Sequence, residues 1–104
     1  MKFGIYKVLG ASMSPTIPDG SYVVYMGFKK IRLRKGGLYL FRHRSLGVMV
    51  KRMVRDLGHN YWFEGDNPST ISSAEIGGVV KEDIIGQVLM SISEGSILPK
   101  GHFI

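Results

Sequence analysis

Two residues of the sequence, Ser12 and Lys51, have the chemistry of a nucleophile and its base. A serine hydroxyl is not ionised near neutral pH, so it attacks a carbonyl only when a neighbouring group takes its proton as the new bond forms. A neutral lysine amine can take that proton, but the reference pKa of lysine is about 10.4, so the fold must destabilise the ammonium. We therefore predict that Ser12 is a nucleophile and that Lys51 is its general base.

The stretch around Lys51 supplies a means of lowering its pKa. If residues 48–54 form a strand, alternation puts Met49, Lys51 and Met53 on one face. An ammonium taken out of water without an anion beside it loses pKa, by up to roughly 3–5 units when burial is complete. The alternative is that Lys51 extends along the apolar face to solvent. A lysine paired with a carboxylate would stay protonated and could not act as a base. The carboxylates considered for such a pair are Glu64, Asp66 and Glu75.

Ser12 lies in a segment that is predicted to be a loop. Pro15 and Pro18-Asp19-Gly20 make regular structure unfavourable across residues 10–20. A loop exposes the hydroxyl and leaves backbone N–H groups near it to receive a developing oxyanion. Gly10 has no Cβ, so a substrate carbonyl could approach the main chain there. The other interpretation is a loop serine that caps its own turn.

Length and composition indicate one small domain. The chain has 104 residues, of which 44% are hydrophobic, which supports one core across residues 1–104. It has no cysteine, so disulfides, thiolate metal sites and cysteine nucleophiles are excluded. The three histidines lack the spacing of metal ligands, and there is no glycine-rich phosphate loop. No apolar run is long enough to span a bilayer. We expect a soluble, cytoplasmic protein, or a membrane-associated one if a natural anchor precedes this sequence.

Positive charge is concentrated in the middle of the chain. The formal net charge is +6, and ten of the fourteen lysines and arginines lie between Lys29 and Arg55, where no acidic residue occurs. Such a segment attracts polyanions, so nucleic acid, an anionic membrane surface or an acidic peptide is a predicted partner. A solvated basic face without a partner is the alternative, because Arg32 and Arg34 alternate with apolar residues as in an ordinary edge strand.

Short predicted strands separated by turns define the fold class. Apolar or alternating runs predict strands at 5–9, 21–26, 38–41, 48–54, 61–64 and 83–92, with 29–34 as a further strand or a charged connection. The 83–92 run has helical spacing, but Gly86 and the β-branched residues favour a strand. Residues 69–78 predict a loop with at most one helical turn. The chain is therefore predicted to be all-β, with coiled antiparallel sheets forming a partly closed barrel.

Four segments, in this order, resemble the serine–lysine peptidases. That group includes type I signal peptidases, mitochondrial inner-membrane peptidases, nickel-type superoxide dismutase maturation proteases and, more remotely, LexA-like self-cleaving repressors. Residues 10–17 look like the nucleophile box and residues 50–54 like the lysine box. Gly65-Asp66-Asn67-Pro68 resembles the family's turn, and residues 78–88 resemble its closing strand. The short maturation proteases are the most similar, since a pair like Arg42-His43 precedes their lysine strand.

The resemblance implies a signal peptidase-like or LexA-like catalytic core that uses no metal and no cofactor. Ser12 would form an acyl-enzyme, and Lys51 would act as general base and then as general acid. The oxyanion would be bound near Gly10 and Met13, by the backbone N–H of Ser12 and a second donor. The expected activity is that of a serine endopeptidase that removes a short N-terminal segment, like a signal peptide or propeptide, from a protein substrate.

The resemblance also implies residues that support the pair. Family members place a serine hydroxyl beside the lysine, from the loop after the Gly-Asp-Asn turn. Ser72 or Ser73 is expected to supply it here, with Asp66 as a further supporting residue. The chain departs from the family at two positions. The family usually has aspartate after the glycines that correspond to Gly20 and Gly37, whereas this chain has Ser21 and Leu38 there. The family's later aspartate and arginine in the loop are also missing.

Two other functions remain open. The first is a catalytically silent binding module of the same fold, whose Lys29–Arg55 segment docks nucleic acid or an anionic membrane. The second is a fragment of a self-cleaving LexA-like repressor. It is disfavoured because no helical DNA-binding region precedes the strands and no clear internal cleavage dipeptide occurs.

Overall fold

Antiparallel strands make up most of the computed structural model, which describes residues 2–27, 32–70 and 72–93. The strands within these ranges are β1 (Lys2–Lys7), β2 (Tyr22–Gly27), β3 (Leu38–His43), β4 (Gly47–Asp56), β5 (Tyr61–Glu64) and β6 (Ile84–Ile92). They form one sheet in the order β1-β2-β6-β3-β4-β5, in which neighbours are antiparallel. The mainly β prediction is confirmed, although this sheet is open rather than closed into a barrel.

The strand boundaries differ from the predicted ones mostly at the ends. Strand β1 runs over Lys2–Lys7 rather than 5–9, because its whole length pairs with β2. The run with helical spacing forms strand β6, since it fits between β2 and β3 as their common neighbour. Of the predicted strand at 29–34, residues 29–31 lie outside the described residues, and 32–34 are not in a strand.

Helical structure is confined to two short pieces among the described residues. Helix α1 (Ser73–Ile76) agrees with the predicted helical turn, and a single 3-10 turn at Lys81–Asp83 precedes β6. Ser72 caps α1, and the Glu75 side chain completes the capping box by bonding the Ser72 backbone N–H. No helix in the described part of the chain has the length and apolar character required to cross a bilayer.

Two buried clusters stabilise opposite faces of the sheet. Alternation along β3 sends Tyr39 and Phe41 to one face and Leu40 to the other. The first cluster contains Tyr39, Phe41, Met53, Phe63, Ile76, Val79 and Ile84. The second contains Val8, Met13, Ile17, Val23, Leu40 and Val50. The second cluster includes side chains of the loop between β1 and β2, and so fixes the segment that carries Ser12.

Strand β4 has one unpaired edge, and this edge positions Lys51. Residues Gly47–Arg52 pair with β3 on one side. On the other side, pairing with β5 covers only Arg52–Asp56. Within the described residues, the outer edge of Gly47–Lys51 therefore has no strand partner. Lys51 is the last residue of this open stretch.

Candidate active site

A surface cavity contains both residues that the sequence predicted to act together. Its volume is about 270 Å³, and it lies along the unpaired edge of β4. Most of its lining residues have apolar side chains. The lining residues are Tyr6, Val8, Leu9, Ser12, Leu46, Val48, Met49, Val50 and Lys51. Ser12 and Lys51, which are 39 positions apart in the chain, therefore share one site.

Lys51 is buried, although it is charged in its ordinary state. It is 2% exposed and lies between Met49 and Met53 on the β4 face, opposite Tyr39 of β3. Burial in these apolar surroundings lowers the pKa of the Lys51 amine below its usual value of 10.5. The neutral amine that a general base requires is therefore more populated at a given pH than it is for a lysine in water.

The carboxylates considered as partners of Lys51 are bound to other groups or exposed. Asp66 binds Arg52, the next residue on β4, through Nε at 2.8 Å and Nη2 at 2.7 Å. Glu75 belongs to the cap of α1. Glu64 pairs in register with Arg52 and is exposed. Desolvation by burial is the cause of the lowered pKa of Lys51.

The Ser12 segment is a loop held by its neighbours. Met13 and Ile17 are fully buried in the second cluster, and the Ile17 N–H donates to the Met13 carbonyl at 2.8 Å. Gly10 has φ +100°, a conformation that disfavours residues with a Cβ. Its N–H donates to Asp19 Oδ1 at 2.7 Å. Ser12 is partly exposed between these anchors, as the loop prediction requires.

The turn after β5 holds the Ser12 loop against β4. The Asn67 N–H donates to the Ser12 carbonyl at 2.9 Å, and Asn67 Nδ2 donates to the Ala11 carbonyl at 3.0 Å. Asp66 binds Arg52 of β4 and also accepts from Thr16 Oγ1 at 2.5 Å. One turn therefore joins the segment carrying the serine to the strand carrying the lysine. Asp66, predicted as a supporting residue, makes contacts suited to that role.

Gly65 lies where the two halves of the site meet. The position that a Gly65 Cβ would occupy is 2.5 Å from the Ser12 carbonyl oxygen and 3.3 Å from Lys51 Nζ. The same position is 3.3 Å from Thr70 Oγ1. Only a residue without a side chain fits this point. The serine loop, the lysine amine and a threonine hydroxyl therefore converge on Gly65.

The hydroxyl groups after the turn lie in three different surroundings. The Ser72 hydroxyl caps α1, and Ser73 lines a separate groove beside Trp62. Thr70 is the hydroxyl that the structure brings to the same point as Lys51 Nζ. Sequence reasoning missed it because the family pattern directs attention to serine. The role predicted for Ser72 or Ser73 stays a prediction.

Two backbone donors beside Ser12 are open. Within the described residues, no hydrogen bond engages the N–H of Ser12 or of Met13. The Gly10 N–H, close to the predicted second donor, is already bound by Asp19. The Met13 side chain is fully buried, so only its backbone can contact a substrate. An oxyanion at this loop would find free N–H groups at Ser12 and Met13.

The turn between β3 and β4 forms one wall of the cavity and is fixed by His43. The N–H groups of Ser45 and Leu46 each donate to His43 Nδ1 at 3.1 Å. Because Nδ1 accepts, Nε2 carries the proton, and it lies 2.9 Å from the Ile76 carbonyl. Leu46 lines the cavity. His43 therefore anchors the wall of the site to α1.

The exposed basic residues near β3 in the described ranges lie at both ends of that strand. Arg34 and Lys35 precede β3, whereas Arg42 and Arg44 lie at its far end, and all four are exposed. Arg52 is bound to Asp66. Lys29 and Lys30 lie outside the described residues. Binding of a polyanion by the Lys29–Arg55 segment, whether nucleic acid or an anionic membrane, stays a prediction. In the described ranges, no three histidine or acidic side chains are grouped closely enough to hold a metal ion.

Comparison with known proteins identifies a family. The family model described as Peptidase S24-like matches residues 2–89, which include the Ser12 loop, strand β4 and the Gly65-Asp66-Asn67 turn. No curated protein matches the sequence significantly.

Proposed function

The chain belongs to the Peptidase S24-like family, and we propose that it is a serine endopeptidase in which Ser12 and Lys51 form the catalytic pair. The observation that carries this proposal is the buried Lys51 amine. It has no carboxylate partner among the described residues, its pKa is lowered by burial, and it shares a cavity with Ser12. A structural lysine would normally reach solvent or an acid.

The proposed reaction proceeds through an acyl-enzyme. Ser12 Oγ attacks the scissile carbonyl while Lys51 Nζ takes its proton, and the backbone N–H groups of Ser12 and Met13 stabilise the oxyanion. The tetrahedral intermediate collapses as the C–N bond breaks and the Lys51 ammonium gives its proton to the leaving amine. Lys51 then removes a proton from water, which attacks the acyl-enzyme. The returned proton restores Ser12.

Thr70 is proposed to orient the lysine amine. Its Oγ1 donates to the Asn67 carbonyl at 2.7 Å, so the hydroxyl proton is committed and an oxygen lone pair is left over. That lone pair can accept from Lys51 N–H, because Oγ1 and Nζ adjoin the same point at Gly65. If a Lys51 N–H donates to Thr70, the lone pair of the Lys51 nitrogen can point toward Ser12 in the cavity. Thr70 would thus take the part expected of Ser72 or Ser73.

The substrate is proposed to be an extended peptide segment. The outer edge of Gly47–Lys51 offers unpaired backbone groups, to which a peptide can add as a strand. Leu9, Leu46 and Val48 give the cavity an apolar wall, which suits apolar side chains near the cut. We further propose that the segment removed is N-terminal in its protein, as in the maturation proteases.

Covalent labelling tests the nucleophile. A serine-directed acylating probe should add one adduct to the wild-type chain, mapped to Ser12 by peptide mass spectrometry. Ser12→Ala should abolish labelling, and Lys51→Met should slow it by about 10²–10⁴-fold, the usual contribution of a general base. Ser91→Ala, which removes an exposed hydroxyl on β6, serves as the matched control. Labelling that persists in Ser12→Ala would refute the assignment.

A second experiment addresses the reaction on proteins. A lysate digested with the wild-type chain should yield new protein N-termini that are absent after digestion with Ser12→Ala. The alternative of a silent binding module predicts no new termini, an unlabelled Ser12 and steeply salt-dependent binding to nucleic acid through exposed arginines such as Arg42 and Arg44.

A further inference from the structure

One tyrosine connects two strands across the cavity that contains Ser12 and Lys51. Tyr6 of β1 lines this cavity, as does Val48 of β4. The Tyr6 hydroxyl donates to the Val48 carbonyl at 3.5 Å, which is long for a bond between two oxygens and therefore weak. Strands β1 and β4 are not neighbours in the sheet. The hydroxyl thus reaches across the cavity to a strand with which β1 does not pair.

The Val48 carbonyl points to the open edge of β4. The Met53 N–H donates to the Gly37 carbonyl at 2.9 Å, and the Met53 carbonyl accepts from the Gly36 N–H at 2.7 Å. The backbone groups of Met53 therefore point to the side on which β3 lies, since these two glycines lead into β3. Along an antiparallel strand the backbone groups of successive residues point to alternate sides. Val48 is an odd number of positions from Met53, and no register shift occurs between β3 and β4, so the backbone groups of Val48 face the open edge.

A peptide that adds as a strand to this edge needs the same carbonyl. Its backbone N–H would bond the Val48 oxygen at about 2.9 Å. Because the Tyr6 hydroxyl already lies 3.5 Å from that oxygen, the peptide and the tyrosine approach the same small region. The bond from the peptide is the shorter one, so a peptide held by further ladder bonds can displace the hydroxyl. Its affinity is then lower by the strength of the bond that it breaks.

We propose that Tyr6 covers the open edge of β4 in the free protein and competes with the substrate for the Val48 carbonyl. An open edge strand is a template for pairing with other chains, and proteins commonly protect such edges. A weak side-chain bond protects this edge without closing it permanently. Segments that make further contacts in the cavity displace Tyr6, whereas extended chains in general bind less. This inference rests on the proposed peptidase function, because it concerns the substrate of that site.

The competition affects only substrates that are long enough to reach Val48. Val48 is three residues from Lys51, which corresponds to about 10 Å along a strand. The acyl part of the substrate stays bonded to Ser12 through both steps of the reaction, so it is the part that we place along β4. An acyl part of four residues reaches Val48, whereas one of two residues ends before it. Tyr6 therefore affects the longer acyl part and not the shorter one.

Two ester probes test the proposal on the full chain. They are the p-nitrophenyl esters of acetyl-tetraalanine and of acetyl-dialanine, and the release of p-nitrophenol gives the acylation rate. For the tetraalanine ester, Tyr6→Phe should lower the concentration at half-maximal rate about two- to fivefold, because no hydroxyl bond has to break. The maximal rate and the kinetics of the dialanine ester should stay as in the wild type. Tyr25→Phe is the matched control, since Tyr25 packs on the same buried cluster as Tyr6 but does not line the cavity.

Three results would overturn the proposal. If Tyr6→Phe leaves the half-maximal concentration of the tetraalanine ester unchanged, the hydroxyl and the substrate share the carbonyl, which has two lone pairs. A raised concentration would make Tyr6 a substrate contact rather than a competitor. An equal change for both esters would mean that Tyr6 acts through the fold of β1. A different result concerns the reaction itself: if neither ester acylates Ser12, with Ser12→Ala as the blank, the proposed function fails and this inference fails with it.

Discussion

Adding a single methyl group at Gly65 should separate the two halves of the proposed catalytic site. In Gly65→Ala the new Cβ would lie 2.5 Å from the Ser12 carbonyl oxygen and 3.3 Å from Lys51 Nζ. Ordinary contacts of this kind begin near 3.4 Å, so the Ser12 loop or the turn must move by about 1 Å. Overpacking of this kind costs about 1–3 kcal/mol of folding stability. A displacement of about 1 Å at a catalytic group can reduce the rate by about 10²-fold.

The assay separates these two effects. The acylation rate of Ser12 by the probe reports the geometry of the site, and urea denaturation reports the free energy of unfolding. Gly58→Ala is the matched control, because Gly58 lies in the β4–β5 hairpin with φ +85° and a Cβ there meets nothing within 4 Å. Its backbone strain should cost about 1–2 kcal/mol without changing acylation.

One result would refute the reasoning about Gly65. If Gly65→Ala is folded and Ser12 is still acylated at the rate of Gly58→Ala, the serine loop and the lysine do not meet at this glycine. A slow Gly65→Ala beside a normal Gly58→Ala would support the convergence, because both variants lose stability and only one changes the site.

Four further predictions concern the neighbours of the pair. Lys51→Met should remove a pH dependence of folding stability. Because burial lowers the pKa of Lys51, the wild-type chain should gain stability as pH rises from this lowered pKa toward 10.5. The variant should show no such gain when denaturation is followed across pH. Asp66→Asn should cost about 1.5–3 kcal/mol in urea denaturation, because charge-assisted bonds to Arg52 are lost. Thr70→Val should lower kcat and leave KM nearly unchanged in steady-state kinetics. His43→Ala should destabilise by about 0.5–1.5 kcal/mol per lost hydrogen bond and raise KM, since it frees a wall of the cavity.

Further measurements sharpen three of these experiments. Asp66 should make the folded chain less stable in acid. The hydrogen bonds from Arg52 are the chief cause of its lowered pKa. Its contribution to stability is therefore present above the pKa of the unfolded state and is lost as pH falls through the pKa of the folded state. Asp66→Asn should therefore flatten the acid limb, and an unchanged limb would contradict the role of the pair. Thr70→Ser should restore kcat. His43→Asn keeps an acceptor for the turn, and if it is no better than His43→Ala, the contact to Ile76 matters instead.

Much of the arrangement follows from local sequence. Alternation along β4 put Met49 and Met53 on the same face as Lys51. The structure shows that Lys51 is buried on this face. Prolines and glycines made the Ser12 segment a loop, because they disfavour ladder hydrogen bonds and regular dihedral angles. The predictions of strands, of a mainly β fold and of the peptidase superfamily depended on such local patterns, and they are confirmed.

Only the tertiary structure decided which groups meet. Asp66 binds Arg52 rather than Lys51, although the two cations are adjacent on β4, because alternation sends their side chains to opposite faces. The Thr70 hydroxyl and the Lys51 amine both lie near the Gly65 Cβ position for the same kind of reason, because the path of the chain after β5 brings them there. A sequence pattern specifies the face on which a side chain lies, whereas contacts between distant segments depend on the coiling of the whole sheet.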